Sequence, residues 1–350
     1  MTVLVEESDA LLLDLDGTVY LGGQVIPHVV PTLIEAARRG ARPMFVTNNA
    51  SRPPAEVAAA LNEMGVAANE VDVLTSPEAA ATMLAQTHPA GSPVLIVGAK
   101  ALSDAVANVG LVPVRLVTDN PVAVVQGHSP DTGWRDLAEA CIAIRSGVDW
   151  VASNTDTTLP TDRGLLPGNG AMVHALMAAT DRTPRVAGKP NRPLLDEAVR
   201  RAAATSPLVV GDRLDTDIEA AVLADMPSLF VLTGVSTPAD LLAAPPARRP
   251  TYVAFDLRGL VDSTRVAKIP ASDVGADRSA AASAWTVEAS DSVLLLHAVD
   301  AAATKRDDGV DLAALALLAA LAWSTGTTDV RGSDATAAAV LERFGFPTAA

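Results

Sequence analysis

The sequence predicts an α/β fold in which helices cover both faces of a parallel β-sheet. Two observations between residue 9 and about residue 262 support this class. Short apolar runs such as LLLD and PLVVG lack a period of two, which is typical of strands buried on both faces. Most of these runs are separated by stretches of roughly 10 to 15 residues with apolar side chains three and four positions apart, as helices between parallel strands are.

The predicted elements follow one another in a regular order. The strand-like runs are ALLLDLD, RPMFVTNN, VDVLTS, SPVLIVGA, PVAVVQG, VDWVASN, SPLVVGD and PSLFVLTGV. Helical spacing is clear at residues 29–39, 54–64 and 134–144. Because ligands of parallel sheets bind at the carboxyl ends of the strands, we expect the functional residues in the loops after these runs.

The pattern changes beyond about residue 262. Strand-like AWTVEA and SVLLLHAV precede an apolar helix at residues 311–323 and a last helix near residues 335–344. A polar, alanine-rich segment at residues 269–284 comes before them. We interpret residues 263–350 as either a separate small module or a packed extension.

The composition restricts the classes of partner. The chain has 350 residues, of which 41 are acidic and 26 basic, so the formal net charge is −15. This balance offers no basic stripe for a phosphate backbone and repels an anionic bilayer, so we expect neither a nucleic acid nor a membrane partner. An anionic substrate then requires local positive charge.

Other features favour a cytoplasmic protein. The acidic residues Glu6, Glu7 and Asp9 stand where a secretory signal carries basic residues, so we predict no signal peptide. The apolar stretch at residues 312–323 is shorter than the roughly 20 residues that a membrane span needs. The single cysteine, Cys141, cannot form an internal disulfide or a zinc–thiolate cluster.

Acidic residues follow two of the predicted strands. Asp14 and Asp16 come after LLL, and Gly17 allows the chain to turn away. In an extended chain these two side chains project to the same side, roughly 7 Å apart. Two such carboxylates can divide the chemistry, one attacking or binding metal while the other transfers protons.

A second group of carboxylates, Asp212 with Asp215 and Asp217, follows LVVG. If these converge with Asp14 and Asp16, their charges repel one another unless a divalent cation lies among them. A ligand set made only of oxygen atoms indicates Mg²⁺ rather than zinc. The predicted cofactor is therefore Mg²⁺.

Residues that could hold a phosphoryl group follow two further strands. Thr47 and Asn48 offer a hydroxyl and an amide, and Lys189 offers a compact positive charge. No phosphate-binding loop of the G-x-x-x-x-G-K-[ST] type, no H-E-x-x-H and no G-x-G-x-x-G after the first strand occurs in the sequence.

The four motifs LLLDLDGTVY, FVTNN, GKP and GDRLDTD stand in the order found in the haloacid dehalogenase-like phosphatases, which residues 9–262 resemble. The longer segments FVTNNASRP, VASNTDTTLPTDRGLLPGNGA and VAGKPNRP resemble one branch of that family. The branch contains the NagD-like, 4-nitrophenyl phosphate, pyridoxal phosphate, phosphoglycolate and glycerol phosphate phosphatases.

The resemblance implies a particular domain organisation. Residues 1–79 and 184–262 would form a doubly wound core, and residues 80–183 an inserted α/β cap that selects the substrate. Residues 18–26, with the pair Gly22-Gly23, resemble the flap hairpin of the family. Residues 263–350 would be a C-terminal extension. Its segment ATAAAVLERFGF resembles the closing helix of an acetyltransferase module, but without an acetyl-CoA loop we expect no acetyl transfer, only packing or formation of a homodimer.

The resemblance also implies the role of each site residue. Asp14 would be the nucleophile and Asp16 the general acid and base. Thr47 and Lys189 would bind the phosphoryl group, and the Asn48 amide stays a candidate from its residue type. The metal ligands would be Asp14, the main-chain carbonyl of Asp16, and Asp212, with Asp217 as a further ligand or as support.

The resemblance places substrate choice in the cap, where Asn154, Asp156 and Asn169 match the family's cap positions that face the active site. These residues are polar, and aromatic residues make up only 3% of the chain, which favours a small aliphatic phosphate over an aromatic one. We therefore predict a Mg²⁺-dependent phosphatase of glycerol 3-phosphate, acting through an aspartyl-phosphate. Phosphoglycolate, pyridoxal phosphate and 4-nitrophenyl phosphate are the alternative substrates.

Three other functions use similar residues. They are a phosphorylated signalling receiver, a phosphate-binding protein without catalysis, and a sugar phosphate mutase. The long insertion between Thr47 and Lys189 and the D-x-D pair favour the hydrolase over the receiver. The intact set of Asp14, Asp16, Lys189 and Asp212 favours it over the binding protein. Accumulation of inorganic phosphate rather than an isomeric sugar phosphate would separate it from the third.

Overall fold

The computed structural model describes residues 3–161, 163–270, 279–282, 284–290, 292–299 and 307–347. Strands and helices alternate over most of this part of the chain, and the α/β class predicted from the sequence is confirmed. Each of the strand-like runs contains a strand. The alanine-rich segment at residues 269–284 lies partly outside the described residues.

The strands are numbered in chain order. They are β1 (Ala10–Leu13), β2 (Tyr20–Leu21), β3 (Gln24–Val25), β4 (Arg42–Thr47), β5 (Val73–Thr75), β6 (Pro93–Val97), β7 (Val112–Val114), β8 (Ala123–Gln126), β9 (Asp149–Ala152), β10 (Thr158–Thr161), β11 (Gly164–Pro167), β12 (Arg185–Val186), β13 (Pro207–Gly211), β14 (Ser228–Val231), β15 (Tyr252–Ala254), β16 (Val266–Lys268), β17 (Ser279–Ala282), β18 (Trp285–Ala289), β19 (Leu294–Ala298) and β20 (Val330–Gly332).

The α-helices are numbered in the same way. They are α1 (Val29–Arg38), α2 (Pro54–Glu63), α3 (Ser76–Ala85), α4 (Lys100–Asn108), α5 (Trp134–Arg145), α6 (Asn169–Thr180), α7 (Pro193–Ala202), α8 (Glu219–Leu223), α9 (Pro238–Leu242), α10 (Asp308–Thr325) and α11 (Ala335–Arg343).

The chain divides into two compact units, the first comprising Met1–Pro43 and Ala204–Ala350. In this unit β1, β13, β14 and β15 are parallel neighbours in that order, and β16 pairs antiparallel with β15. Leu13 pairs with Val210, so β1 and β13 end at the same edge of the sheet. This register brings the residues that follow both strands to one place.

The C-terminal segment packs against the same unit. Strands β17, β18, β19 and β20 form a four-stranded sheet in that order. Apolar residues of α10, such as Leu318, share one buried cluster with Phe230 of β14 and Val253 of β15. The segment is therefore a packed extension of this unit rather than a detached module.

Helix α10 is longer than the predicted helix at residues 311–323. Its first turn is capped by the side chain of Asp307, which accepts a hydrogen bond from the Val310 N–H at 3.0 Å. Its end is set by Gly326 in the left-handed region, with φ of 76°. By length and composition this helix could cross a membrane, but 61% of its residues are buried inside the fold, as in the core helix of a globular protein.

The second unit comprises Met44–Ala203. It contains the predicted cap and also residues 44–79 and 184–203 of the predicted core. Five parallel strands form its sheet in the order β12-β9-β8-β6-β7. Two helix pairs, α3 with α4 and α5 with α6, pack on these strands, and β4 pairs parallel with β5.

Candidate active site

In the first unit, the sheet register places two aspartates side by side. Asp14 directly follows β1, and its N–H donates to the carbonyl of Val210 at 2.9 Å. Asp212 directly follows the neighbouring strand β13. A single π-helical turn over Leu214–Ile218 then carries Asp217, and turns of this kind are frequent at functional sites.

These three aspartates form an acidic group. Carboxylate oxygens of Asp14, Asp212 and Asp217 lie within 4.8 Å of one another. Asp212 and Asp217 are buried and Asp14 is half-buried. Three negative charges this close are costly in a buried setting unless a cation neutralises them, and a set of carboxylate oxygens suits Mg²⁺. The donors that are present therefore fit magnesium.

Neutral donors fix the orientation of Asp212. The hydroxyl of Thr18 donates to its Oδ1 at 3.3 Å, and the N–H of Val235 donates to its Oδ2 at 2.7 Å. Gly17 has φ of +88°, and a Cβ there would lie 2.5 Å from Asp212 Oδ2, so only glycine fits beside this carboxylate. The N–H of Arg213 donates to Asp217 Oδ2 at 3.1 Å.

Asp16 differs from Asp14 in its surroundings. Strand β1 ends at Leu13, and the Asp16 side chain is exposed and accepts a hydrogen bond from the hydroxyl of Tyr20 at 3.3 Å. Among the described residues, its carboxylate is not a member of the acidic group. The resemblance implies that Asp16 binds the metal through its main-chain carbonyl.

The hairpin predicted at residues 18–26 is confirmed. Strands β2 and β3 pair antiparallel, and the turn between them consists of Gly22 and Gly23, both with positive φ. This pattern is typical of a two-residue hairpin turn. Asp16 therefore lies at the base of a short, exposed hairpin.

Asp215, the second aspartate of GDRLDTD, forms an ion pair outside the acidic group. Its carboxylate pairs with the guanidinium of Arg213 through two hydrogen bonds of 3.0 and 2.9 Å. The hydrogen bonds from Arg213 hold the pKa of Asp215 below its ordinary value, although burial opposes this shift. This aspartate has its counter-charge within the chain.

In the second unit, Thr47 and Lys189 occupy buried positions. Thr47 is the last residue of β4, and its hydroxyl accepts a hydrogen bond from the Asn49 N–H at 3.1 Å. The Lys189 side chain is 3% exposed, and its ammonium donates to the carbonyl of Val46 at 3.0 Å. A lysine is seldom so buried unless an anion or several acceptors surround its charge. Because Val46 is the second-last residue of β4, its hydrogen bond places the ammonium at the carboxyl end of that strand.

The three predicted cap residues are brought together with Asn48. The Asn154 amide donates to the Asn48 carbonyl at 2.8 Å, and the Asn48 amide donates to the Asp156 carboxylate at 3.3 Å. Asn169, the first residue of α6, donates to the Asn154 carbonyl at 2.7 Å. Asn154 and Asn169 are buried, and Asp156 is half-buried.

Three residues of these networks were not predicted from the sequence. They are Thr18, Thr233, whose hydroxyl donates to the Gly17 carbonyl at 2.5 Å, and Ser76, whose hydroxyl donates to the Asn48 carbonyl at 2.7 Å. Ser76 and Thr233 follow the ends of β5 and β14. The rule that ligands bind at the carboxyl ends of parallel strands, applied to every strand, would have found them.

Comparison with protein families gives two matches. A model described as haloacid dehalogenase-like hydrolase matches residues 11–112, and one described as HAD-hydrolase-like matches residues 186–260. The first contains Asp14, Asp16, Thr47 and Asn48. The second contains Lys189, Asp212 and Asp217.

Known proteins resemble the chain over most of its length. A curated D-glycerol 3-phosphate phosphatase of Mycobacterium tuberculosis is 54% identical over 266 residues, which are 76% of this chain and 74% of the relative. An acid sugar phosphatase of Staphylococcus saprophyticus is 33% identical over 255 residues, which are 72% of this chain and 96% of the relative.

A solved structure resembles nearly the whole chain. It is the magnesium complex of a glycerol phosphate phosphatase from Mycobacterium tuberculosis, with a TM-score of 0.88 and 46% identity. The match covers 99% of this chain and 100% of that chain. The C-terminal extension therefore has a counterpart in that structure.

Proposed function

We propose that this chain, which belongs to the haloacid dehalogenase-like hydrolases as its motifs predicted, is a Mg²⁺-dependent phosphatase of glycerol 3-phosphate. The observation that supports glycerol 3-phosphate as the substrate is the 54% identity to a D-glycerol 3-phosphate phosphatase. The acidic group in the first unit supports the metal requirement, because its donors are all carboxylate oxygens.

In the proposed reaction, Asp14 and Asp16 divide the covalent and the proton-transfer steps. The Asp14 carboxylate attacks phosphorus, the bond from phosphorus to the glycerol oxygen breaks, and Asp16 donates its proton to that oxygen. Asp16 then takes a proton from water, whose oxygen attacks phosphorus and breaks the bond to Asp14. Inorganic phosphate leaves and both carboxyl groups return to their initial state.

Thr47 and Lys189 bind the transferring phosphoryl group in this proposal. The buried Lys189 ammonium offsets the negative charge on the phosphoryl oxygens, and the Thr47 hydroxyl donates a hydrogen bond to one of them. When bound, Mg²⁺ would be held by Asp14, Asp212 and Asp217 with the Asp16 carbonyl, and would neutralise charge on the carboxylates and the phosphoryl oxygens.

In the proposed enzyme, the cap comprises residues 80–183, the core residues 1–79 and 184–262, and the extension residues 263–350. The buried and half-buried polar groups of Asn154, Asp156 and Asn169 suit the hydroxyl groups of a small polyol better than an aromatic ring. We place the enzyme in the cytoplasm, with a small-molecule phosphate ester as its partner. A net charge of −15 disfavours a nucleic acid partner.

The test is phosphate release from glycerol 3-phosphate, phosphoglycolate, pyridoxal phosphate and 4-nitrophenyl phosphate, with Mg²⁺ and with excess EDTA. We expect the highest kcat/KM for glycerol 3-phosphate and loss of turnover in EDTA that added Mg²⁺ restores. Release from the aromatic esters alone would refute the substrate. Turnover that persists in EDTA would refute the metal requirement.

A further inference from the structure

We infer that the Asn48 side chain positions Lys189 through the main chain of the lysine, and that this side-chain amide makes no contact with the phosphoryl group. Asn48 Oδ1 accepts a hydrogen bond from the Lys189 N–H at 2.8 Å, and Asn48 Nδ2 donates to the Lys189 carbonyl at 2.9 Å. One side-chain amide therefore satisfies both main-chain groups of the lysine, as a neighbouring strand would.

The hydrogen-bonding capacity of Asn48 supports this role. A primary amide has two N–H donors, and its oxygen can only accept. One N–H goes to the Lys189 carbonyl and the other to the Asp156 carboxylate, at 3.3 and 3.4 Å from its two oxygens. Phosphoryl oxygens need donors, and the side-chain amide of Asn48 has none left for them. This role replaces the phosphate contact expected from the sequence.

Gly188 makes the close approach of Asn48 possible. A Cβ at position 188 would lie 2.6 Å from Asn48 Oδ1 and 2.7 Å from the Ser153 carbonyl. The Gly188 N–H also donates to the Ser153 carbonyl at 2.7 Å. The glycine of the GKP motif is thus needed because two polar groups lie against the chain just before Lys189.

Asn48 is itself held from two directions. Its carbonyl accepts hydrogen bonds from Ser76 Oγ at 2.7 Å and Asn154 Nδ2 at 2.8 Å. The lysine is therefore fixed at its main chain by Asn48 and at its ammonium by the Val46 carbonyl. A lysine stem is flexible, and fixing both ends limits where its charge can lie.

This inference rests on the proposed function, in which Lys189 binds the phosphoryl group. Its first test compares Asn48→Ala with Asn49→Ala. Asn49 is the matched control, because its side chain is exposed and accepts hydrogen bonds from the nearby Ser51. A displacement of about 1 Å in a catalytic group costs about 10²-fold, so we expect that loss of kcat/KM in Asn48→Ala and less than a twofold change in Asn49→Ala. Equal activity in the two variants would overturn the inference.

A double-mutant cycle with Lys189→Met separates positioning from direct contact. If Asn48 acts through the lysine, Asn48→Ala has less than a twofold further effect once the ammonium is gone. The same fold-loss in both backgrounds would show a direct contact or a general structural role, and would overturn the inference.

The cycle is also measured as the affinity for inorganic phosphate by titration calorimetry. If the native enzyme binds phosphate but hydrolyses no ester, the proposed function fails while the cycle still decides the role of Asn48. If the native enzyme binds no phosphate, both fail.

Discussion

Two acidic clusters of the first unit obtain their stabilisation in different ways. In the active-site group, Asp14, Asp212 and Asp217 bring carboxylate oxygens within 4.8 Å of one another. In the C-terminal extension, Asp308 and Asp311 lie around one guanidinium: Arg343 pairs with Asp308 at 2.6 Å and with Asp311 at 2.7 Å.

The extension supplies its own counter-charge. Asp311 is 1% exposed, and Arg265 forms a second ion pair with Asp308. The Arg343 guanidinium also lies 4.0 Å from the centre of the Phe255 ring, which stacks on Phe344. These contacts join α10 and α11 to residues 255–265, so the acidic side chains hold the extension in place.

In the active site, a hydroxyl and a main-chain N–H donate to Asp212, and these two donors carry no charge. Neutral donors orient a carboxylate without cancelling its charge, and three carboxylates whose oxygens converge as closely as these suit a cation from solution. The difference teaches that buried carboxylates whose oxygens converge on one point indicate a metal site, and that carboxylates arranged around an arginine indicate a structural site.

The largest effect that separates the clusters is expected from Asp14→Asn. Loss of the nucleophile should lower phosphate release from glycerol 3-phosphate by at least about 10⁴-fold. The unfolding temperature in EDTA should stay the same or rise, because one of three mutually repelling charges is gone. Phosphate release and thermal unfolding measure the two effects.

Asp225→Asn is the control for Asp14→Asn, because Asp225 is an exposed aspartate of the same unit. It should leave both quantities unchanged. Native turnover by Asp14→Asn would remove the aspartate from the nucleophile role.

The sequence could predict the active-site cluster because its residues follow strands. Asp14 and Asp212 come directly after apolar runs, and parallel pairing of those runs brings them together. The cluster around Arg343 has no such signal. Its partners Asp308 and Asp311 are 35 and 32 positions away, and only the packing of α10 against α11 brings them together.

Other features were beyond the sequence for identifiable reasons. The hairpin of β10 and β11 is exposed along β11, so it lacks the apolar alternation that marks a strand. Asp14 and Asp16 do not lie in an extended strand, because β1 ends at Leu13, and the surroundings of Asp16 therefore could not be predicted from strand geometry. The pairing of Asn48 with Lys189 joins positions 141 apart, and a residue type alone does not reveal where its hydrogen bonds go.

The second prediction concerns the extension, where a substitution should lower the stability and leave the activity unchanged. Arg343→Ala leaves the buried Asp311 without this guanidinium, so the free energy of unfolding should fall by about 3 kcal/mol. The kcat/KM per folded molecule should stay at the native value. Urea unfolding and phosphate release check the two expectations.

Arg331→Ala tests whether loss of any arginine in the extension has the same effect. Arg331 is exposed on β20, and its replacement should change the free energy of unfolding by less than about 0.5 kcal/mol. Equal stability of the two variants would show that the ion pairs of Arg343 do not hold the extension, and the contrast between the clusters would fail.

The smallest expected effect concerns Asp334, which caps the helix that carries Arg343. Its Oδ1 accepts a hydrogen bond from the Ala337 N–H at 2.9 Å, and its Oδ2 accepts one from the Ala298 N–H at 3.0 Å. Burial raises the pKa of Asp334, but these hydrogen bonds outweigh burial and hold the pKa below its ordinary value of 3.8. The charged carboxylate therefore stabilises the fold above that value, and this stability is lost as the pH falls through the lower, folded-state pKa.

Asp334→Ala should accordingly lower the free energy of unfolding by about 1 kcal/mol at pH 7, and the difference from the native protein should shrink as the pH falls below the ordinary pKa of 3.8. Asp334→Asn keeps an acceptor but cannot titrate, so it should retain most of the stability at pH 7 and show no such dependence. Urea unfolding at several pH values measures all three proteins. A difference between Asp334→Ala and the native protein that stays constant through the acid range would mean that a neutral acceptor suffices at this cap. In that case the charge of this third acidic side chain, unlike those around Arg343, contributes nothing to holding the extension.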